Sequence, residues 1–197
     1  MTKLKQLDTE LLAQTIVAIN FQTEDFNQWL EDLKEVFLKD KRDLNTEKQI
    51  AFELGCVRHA LYYLLSQKRY LKLYPNSKKL AEMFKTEIPG YYESVYGSHS
   101  EETLSLFNLR LLSYEAAFDS KEIFISLGKL LNCFLVQCVE RDEPLSFQVS
   151  LDSDIMKQLQ PDPDQIDCCM QIVENLVKLA DRTFKEYEIV EQYEVAE

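Results

Sequence analysis

Apolar residues recur at spacings of three and four along most of this chain, and each such run predicts an amphipathic helix. Asp8 or Thr9 can cap a first helix that reaches about Asn20, with Leu11, Leu12, Thr15, Ile16 and Ile19 near one face. Thr23 caps a second, in which Phe26, Trp29, Leu30, Leu33, Val36 and Phe37 form the stripe. A third starts near Asn45 or Thr46 and carries two stripes, so it is expected to be covered on two sides. One stripe is Ile50, Leu54, Val57, Leu61 and Leu64, and the other is Phe52, Cys56, His59 and Tyr63.

After Pro75, Asn76 can cap a short helix from Ser77 to about Thr86, which Ile88, Pro89 and Gly90 stop. Ser98 or Ser100 opens the next, with Glu101 and Glu102 in its dipole-favoured first turn and Leu104, Phe107, Leu111, Tyr114 and Phe118 on its buried face. Asp119 and Glu122 have the reciprocal capping-box spacing. The helix they start, up to about Val139, is apolar almost all round, which marks it as the central one. Asp152 or Ser153 then caps a short turn through Gln158. Asp162, Pro163 and Gln165 supply cap, first-position proline and capping-box partner for a last long helix, whose inner stripe runs from Ile166 through Met170, Val173, Leu176, Val177 and Ala180 to Phe184.

One stretch breaks this period. In "LSFQVSL", residues 145–151, apolar and polar residues alternate as on a half-buried strand. Leu145, Phe147, Val149 and Leu151 are expected to pack on the helices, and Ser146, Gln148 and Ser150 to face water or a partner. A lone strand leaves a row of amides and carbonyls open. Three neighbours can serve them: the tail from Tyr187 to Val195, whose alternation is β-compatible, a second copy in a homodimer, or a foreign peptide. The tail is the expected one. The fold class is therefore mainly α, a single-domain helical bundle of about six or seven helices over residues 1–197. A small two-stranded β ribbon near the C-terminus, from strands at 145–151 and within 186–196, completes it.

Length and charge narrow the function. A chain of 197 residues is long enough for one well-buried core, and four glycines and five prolines are few for a sheet-rich or nucleotide-cradling fold. The net charge of −12 disfavours a nucleic-acid-binding surface, since a phosphate backbone is repelled at long range. Between Ser66 and Thr86, Lys68, Arg69, Lys72, Lys78, Lys79 and Lys85 face a single acid, Glu82; a solvated helix face is the plainer reading of that run. The last twelve residues hold five glutamates and no base. Asp8 and Glu10 interrupt any secretory signal, and Ile123–Val139 is short for a bilayer span and carries Lys129, Asn132 and Gln137, so no membrane association is expected. Five cysteines, an odd number, fit a reducing cytoplasm in which they stay free.

Candidate chemistry is sparse. The two histidines, His59 and His99, belong to no metalloprotease or di-iron helix motif, and Cys133, Cys138, Cys168 and Cys169 lack zinc-site spacing. "DPDQID", Asp162 to Asp167, has Asp where a calcium loop needs glycine and reads as a helix cap. "GSHS" at Gly97–Ser100 lacks the second glycine of a nucleophile elbow. His59 is expected in the core, with Lys48, Glu53 and Arg58 as flanking surface charges. No catalytic, cofactor-binding or metal-ligating residue is expected, and no cofactor.

Contact surfaces remain. Tyr91, Tyr92 and Tyr96 crowd one loop, and tyrosine offers stiff, amphipathic contact area. Ser146, Gln148 and Ser150 are the outward positions of the expected strand. The expected function is a non-enzymatic, cytoplasmic, protein-binding adaptor or chaperone-like subunit, such as a secretion chaperone. The alternative is an acidic inhibitor or immunity-type protein that masks a basic partner site. An enzyme without a readable motif ranks below both.

Overall fold

The computed structural model describes residues 5–8, 24–38, 44–67, 101–139, 147–160 and 162–190. Six helices follow one another among them: α1 Glu24–Leu38, α2 Leu44–Leu65, α3 Glu101–Phe118, α4 Ile123–Val139, α5 Asp154–Gln158 and α6 Pro163–Glu186. The described chain is mainly helical. A strand β1, Lys5–Asp8, pairs in parallel with β2, Tyr187–Val190, placing Lys5 opposite Tyr187 and Asp8 opposite Val190. The helices expected to end at Asn20 and to run from Ser77 to Thr86 fall on residues outside the described set.

Helix starts follow the local chemistry. The Asp162 carbonyl accepts the first bond of α6 from the Ile166 amide at 3.1 Å, and its side chain caps the Asp164 amide at 3.0 Å. Pro163 takes the first helical position, where a missing N–H costs nothing. The start of α4 differs from the expected capping box. Residues 119–122 form a turn, and the Glu122 carbonyl accepts from the Ser126 amide at 2.9 Å, so Glu122 rather than Asp119 stands at the cap position.

α2 and α4 touch each other, and each also touches α1, α3 and α6, so these two helices form the centre. In α4, Leu130, Leu131, Phe134 and Leu135 are wholly excluded from water, as its almost continuous apolar composition requires. α2 is buried without a break from Glu53 to its end at Leu65. Each large apolar side chain buried in this way contributes roughly 1.5–3 kcal/mol. α4 and α6 pack closely at Gly128, where an added Cβ would lie 2.6 Å from Met170 Cγ and 3.0 Å from Met170 Cα.

The ribbon expected from strands at 145–151 and 186–196 falls in large part outside the described residues, which exclude Leu145, Ser146 and 191–196. Gln148, Val149 and Ser150 have no regular secondary structure. The Val149 amide donates to Ser113 Oγ on α3 at 2.9 Å, and that hydroxyl donates in turn to the Leu109 carbonyl at 2.8 Å. A helix side chain therefore satisfies this buried amide. The expected inward face is only partly realised: Val149 is buried and Leu151 half-buried, but Phe147, at a bend, is 50% exposed.

Candidate functional site

The charges in the middle of α2 depart most from expectation. Lys48 is exposed, but Glu53 and Arg58 are buried at 0% and 1% exposure rather than flanking the core. Burying a lone charge costs several kcal/mol, so each needs compensation. Glu53 finds it in Arg110 of α3, itself fully buried. Arg110 Nε lies 3.0 Å from Glu53 Oε1 and 2.9 Å from Oε2, and a terminal guanidinium nitrogen lies 2.7 Å from Oε1. The Arg58 guanidinium stands 5.5 Å from the ring centroid of Phe26 on α1.

The neighbours of this pair come from three helices. The Arg110 guanidinium lies 4.0 Å from the centroid of the Phe134 ring of α4, a cation–π contact. Phe134 meets Tyr114 edge to face, with centroids 5.7 Å apart. Cys138 Sγ is 3.6 Å from Glu53 Oε1 and is oriented to donate to it. Burial alone would lower the Arg110 pKa, but the Glu53 charge and hydrogen bonds outweigh it and hold the guanidinium more firmly protonated than usual. Burial first, and then the Glu53 charge, push the Cys56 and Cys138 thiols and the Tyr114 phenol upward.

The arrangement can clamp α2, α3 and α4 together. Both Glu53 oxygens are occupied by fixed donors, which leaves the carboxylate poorly placed to take a proton from a substrate. Cys56 and Cys138 are held as thiols, which are weak nucleophiles. Cys169 is likewise buried and pushed upward by burial. His59, expected in the core, is 1% exposed and meets the Phe107 ring edge to face at 4.4 Å. Among the described residues, no three His, Cys, Asp or Glu side chains gather as a metal ion would need.

A signal for the pair lies in the spacing. Glu53 follows Ile50 by three positions and precedes Val57 by four, while Arg110 follows Phe107 by three and precedes Tyr114 by four. Both therefore sit on inward stripes, and their opposite charges on two adjacent helices allow them to meet.

Of the residues singled out for contact, Tyr91, Tyr92, Tyr96 and Ser146 lie outside the described residues. Gln148 is exposed, and its Nε2 reaches the Leu112 carbonyl at 3.5 Å. Ser150 is exposed but engaged locally: its hydroxyl donates to Asp152, and its carbonyl accepts from the amide and hydroxyl of Ser153 at 3.0 and 2.6 Å. Beside Gln148, Leu112 and Phe147 stand 46% and 50% exposed, so two large apolar side chains face water on adjoining stretches of chain.

Fold and site together define a helical bundle built around a buried carboxylate–guanidinium pair. No helix among its described residues is long and apolar enough to cross a membrane. No protein-family model, no curated protein and no solved structure matches this chain.

Proposed function

We propose that this chain is a non-enzymatic, cytoplasmic protein-binding subunit, an adaptor or chaperone-like protein that holds an apolar segment of a partner. The observation that carries this reading is the exposure of Leu112 and Phe147, two large apolar residues on stretches of chain that the bonds of Gln148 and Val149 hold to each other. Large apolar side chains held at a surface contribute to binding by excluding water from a partner's apolar groups. Gln148 supplies a polar contact next to Phe147, and the contacts expected of Ser146, Tyr91, Tyr92 and Tyr96 from the sequence belong to the same reading. A peptide adding along 145–151, or a ribbon of that segment with 186–196, belongs to the same proposal.

A photo-crosslinking residue at position 147 tests it, with one at the exposed Lys178 as control, in extract of the native host. Crosslinks from 147 but not from 178, retained at about 0.5 M salt, support apolar capture. Loss of the crosslink at that salt points instead to the acidic inhibitor. Equal labelling from both positions, or none from 147, refutes the proposed surface.

A further inference from the structure

Outside these features, α4, the segment 151–159 and the start of α6 enclose a groove of about 280 Å³. Ile125, Lys129 and Asn132 enter it from α4, at spacings of four and three that place them along one face. Leu151, Met156, Leu159 and Ile166 make the opposite wall apolar. Asn132 is 2% exposed, and its Oδ1 has no hydrogen-bond partner among the described residues. A buried carboxamide left in that state is costly, and a ligand able to donate to it recovers the cost.

The rim carries the complementary signal. Lys129 is exposed and takes part in no ion pair with the described residues, and Lys157 reaches Asp154 only at 3.5 Å with both side chains largely in water. Glu122 and Ser126 also line the groove. Asp154 and Asp152 both lie near Lys157, so the cation of this groove left without an ion pair among the described residues is Lys129. A ligand that satisfies all three features has an apolar body, a carboxylate for Lys129 and an N–H or O–H donor for Asn132. Lys129 and Asn132 lie three positions apart on one face of α4, so one small ligand that carries both groups can reach both residues.

We propose that this groove binds a small α-amino or α-hydroxy acid with an apolar side chain, its carboxylate at Lys129 and its α-donor on Asn132 Oδ1. The test is a nuclear magnetic resonance titration of the full chain with L-leucine and with 2-hydroxy-4-methylpentanoate, which separates the amino from the hydroxy source. 4-Methylpentanoate, which lacks the donor, and leucinol, which lacks the carboxylate, are the controls. Saturable shifts confined to Ile125, Leu151, Met156 and Ile166 are expected for at least one acid. Each control should bind at least about tenfold more weakly than that acid, the loss typical of one unmade hydrogen bond to a charged or buried group. The variant Asn132→Leu should erase the advantage of the donor, and Ile125→Trp, at a position 37% exposed, should block the groove while leaving the fold intact. Absence of saturable shifts, shifts elsewhere in the chain, or controls that bind as well as the acids would overturn the proposal. The ligand series on the unaltered chain decides it even where Asn132→Leu fails to fold.

Discussion

Replacing Arg110 by Met keeps an unbranched side chain in the α3 position and removes the cation that meets Glu53. Among the described residues, the carboxylate, at 0% exposure, would then keep the Cys138 thiol at 3.6 Å as its donor. Breaking a buried pair by removing one partner costs about 3–5 kcal/mol, because an uncompensated charge stays in the core. Against a total stability of about 5–15 kcal/mol for a typical domain, that is a large share. Urea unfolding followed by circular dichroism measures it as a lower midpoint at similar slope. The paired variant, Glu53→Met with Arg110→Met, removes both charges together and should recover most of the loss, since apolar replacement of a whole buried pair is often close to neutral. A cost below about 1 kcal/mol for Arg110→Met alone is the value expected of an exposed ion pair and would refute the buried geometry. A double variant as unstable as the sum of the two single variants would refute the coupling.

Three further outcomes follow from particular contacts. Gly128→Ala places a methyl group against Met170 and should cost about 1–3 kcal/mol in unfolding experiments; Met170→Ala in that background should rescue it only in part, because the Met170 Cα is itself within 3.0 Å. Ser113→Ala removes the acceptor of the buried Val149 amide and should cost about 1–3 kcal/mol, with faster hydrogen exchange at Val149 while the centre of α4 stays protected. Burial first, and then the Asp32 charge, push the Cys168 thiol up to about 11, so timed alkylation near neutral pH, read by mass spectrometry, should label it on the order of 10- to 100-fold more slowly than a free thiol. Because its folded-state pKa is raised, this group favours the folded chain below about pH 9 and loses that contribution as pH rises towards about 11; labelling as fast as glutathione would contradict the assignment.

The helices were legible because each long one presents a stripe to a common core. Thr23 precedes α1 by one residue, and Asp162 with Pro163 marks the start of α6. The turn from 119 to 122 was less legible, because residue identity favours the cap at Asp119 and only the backbone bond from Ser126 moves it to Glu122. The segment 147–151 was legible only in part, for another reason. An alternating pattern states which side chains face inward, but the acceptor of the Val149 amide sits 36 residues earlier on α3, beyond the reach of any local pattern. Glu53, Arg58 and Arg110 were hidden by their charge. A charged residue on an apolar stripe reads as solvated because desolvation is costly, and only the meeting of two helices reveals what offsets that cost.

That offset also gives α2, buried from Glu53 to Leu65, a reason to hold one rotational setting. A cylinder that is apolar all round packs almost equally well at several angles, as loosely specified cores do. A carboxylate that must meet Arg110 with both oxygens, beside a guanidinium resting on Phe134, fixes α2 against α3 and α4 at one angle. The Glu53→Met, Arg110→Met variant separates this role from stability. With the pair setting the packing, that variant should unfold at a similar midpoint while its α2 and α4 methyl resonances broaden or double. Sharp single resonances across both helices would show that shape complementarity alone holds the two central helices in place, as it does where apolar replacement of a buried ion pair leaves a unique fold.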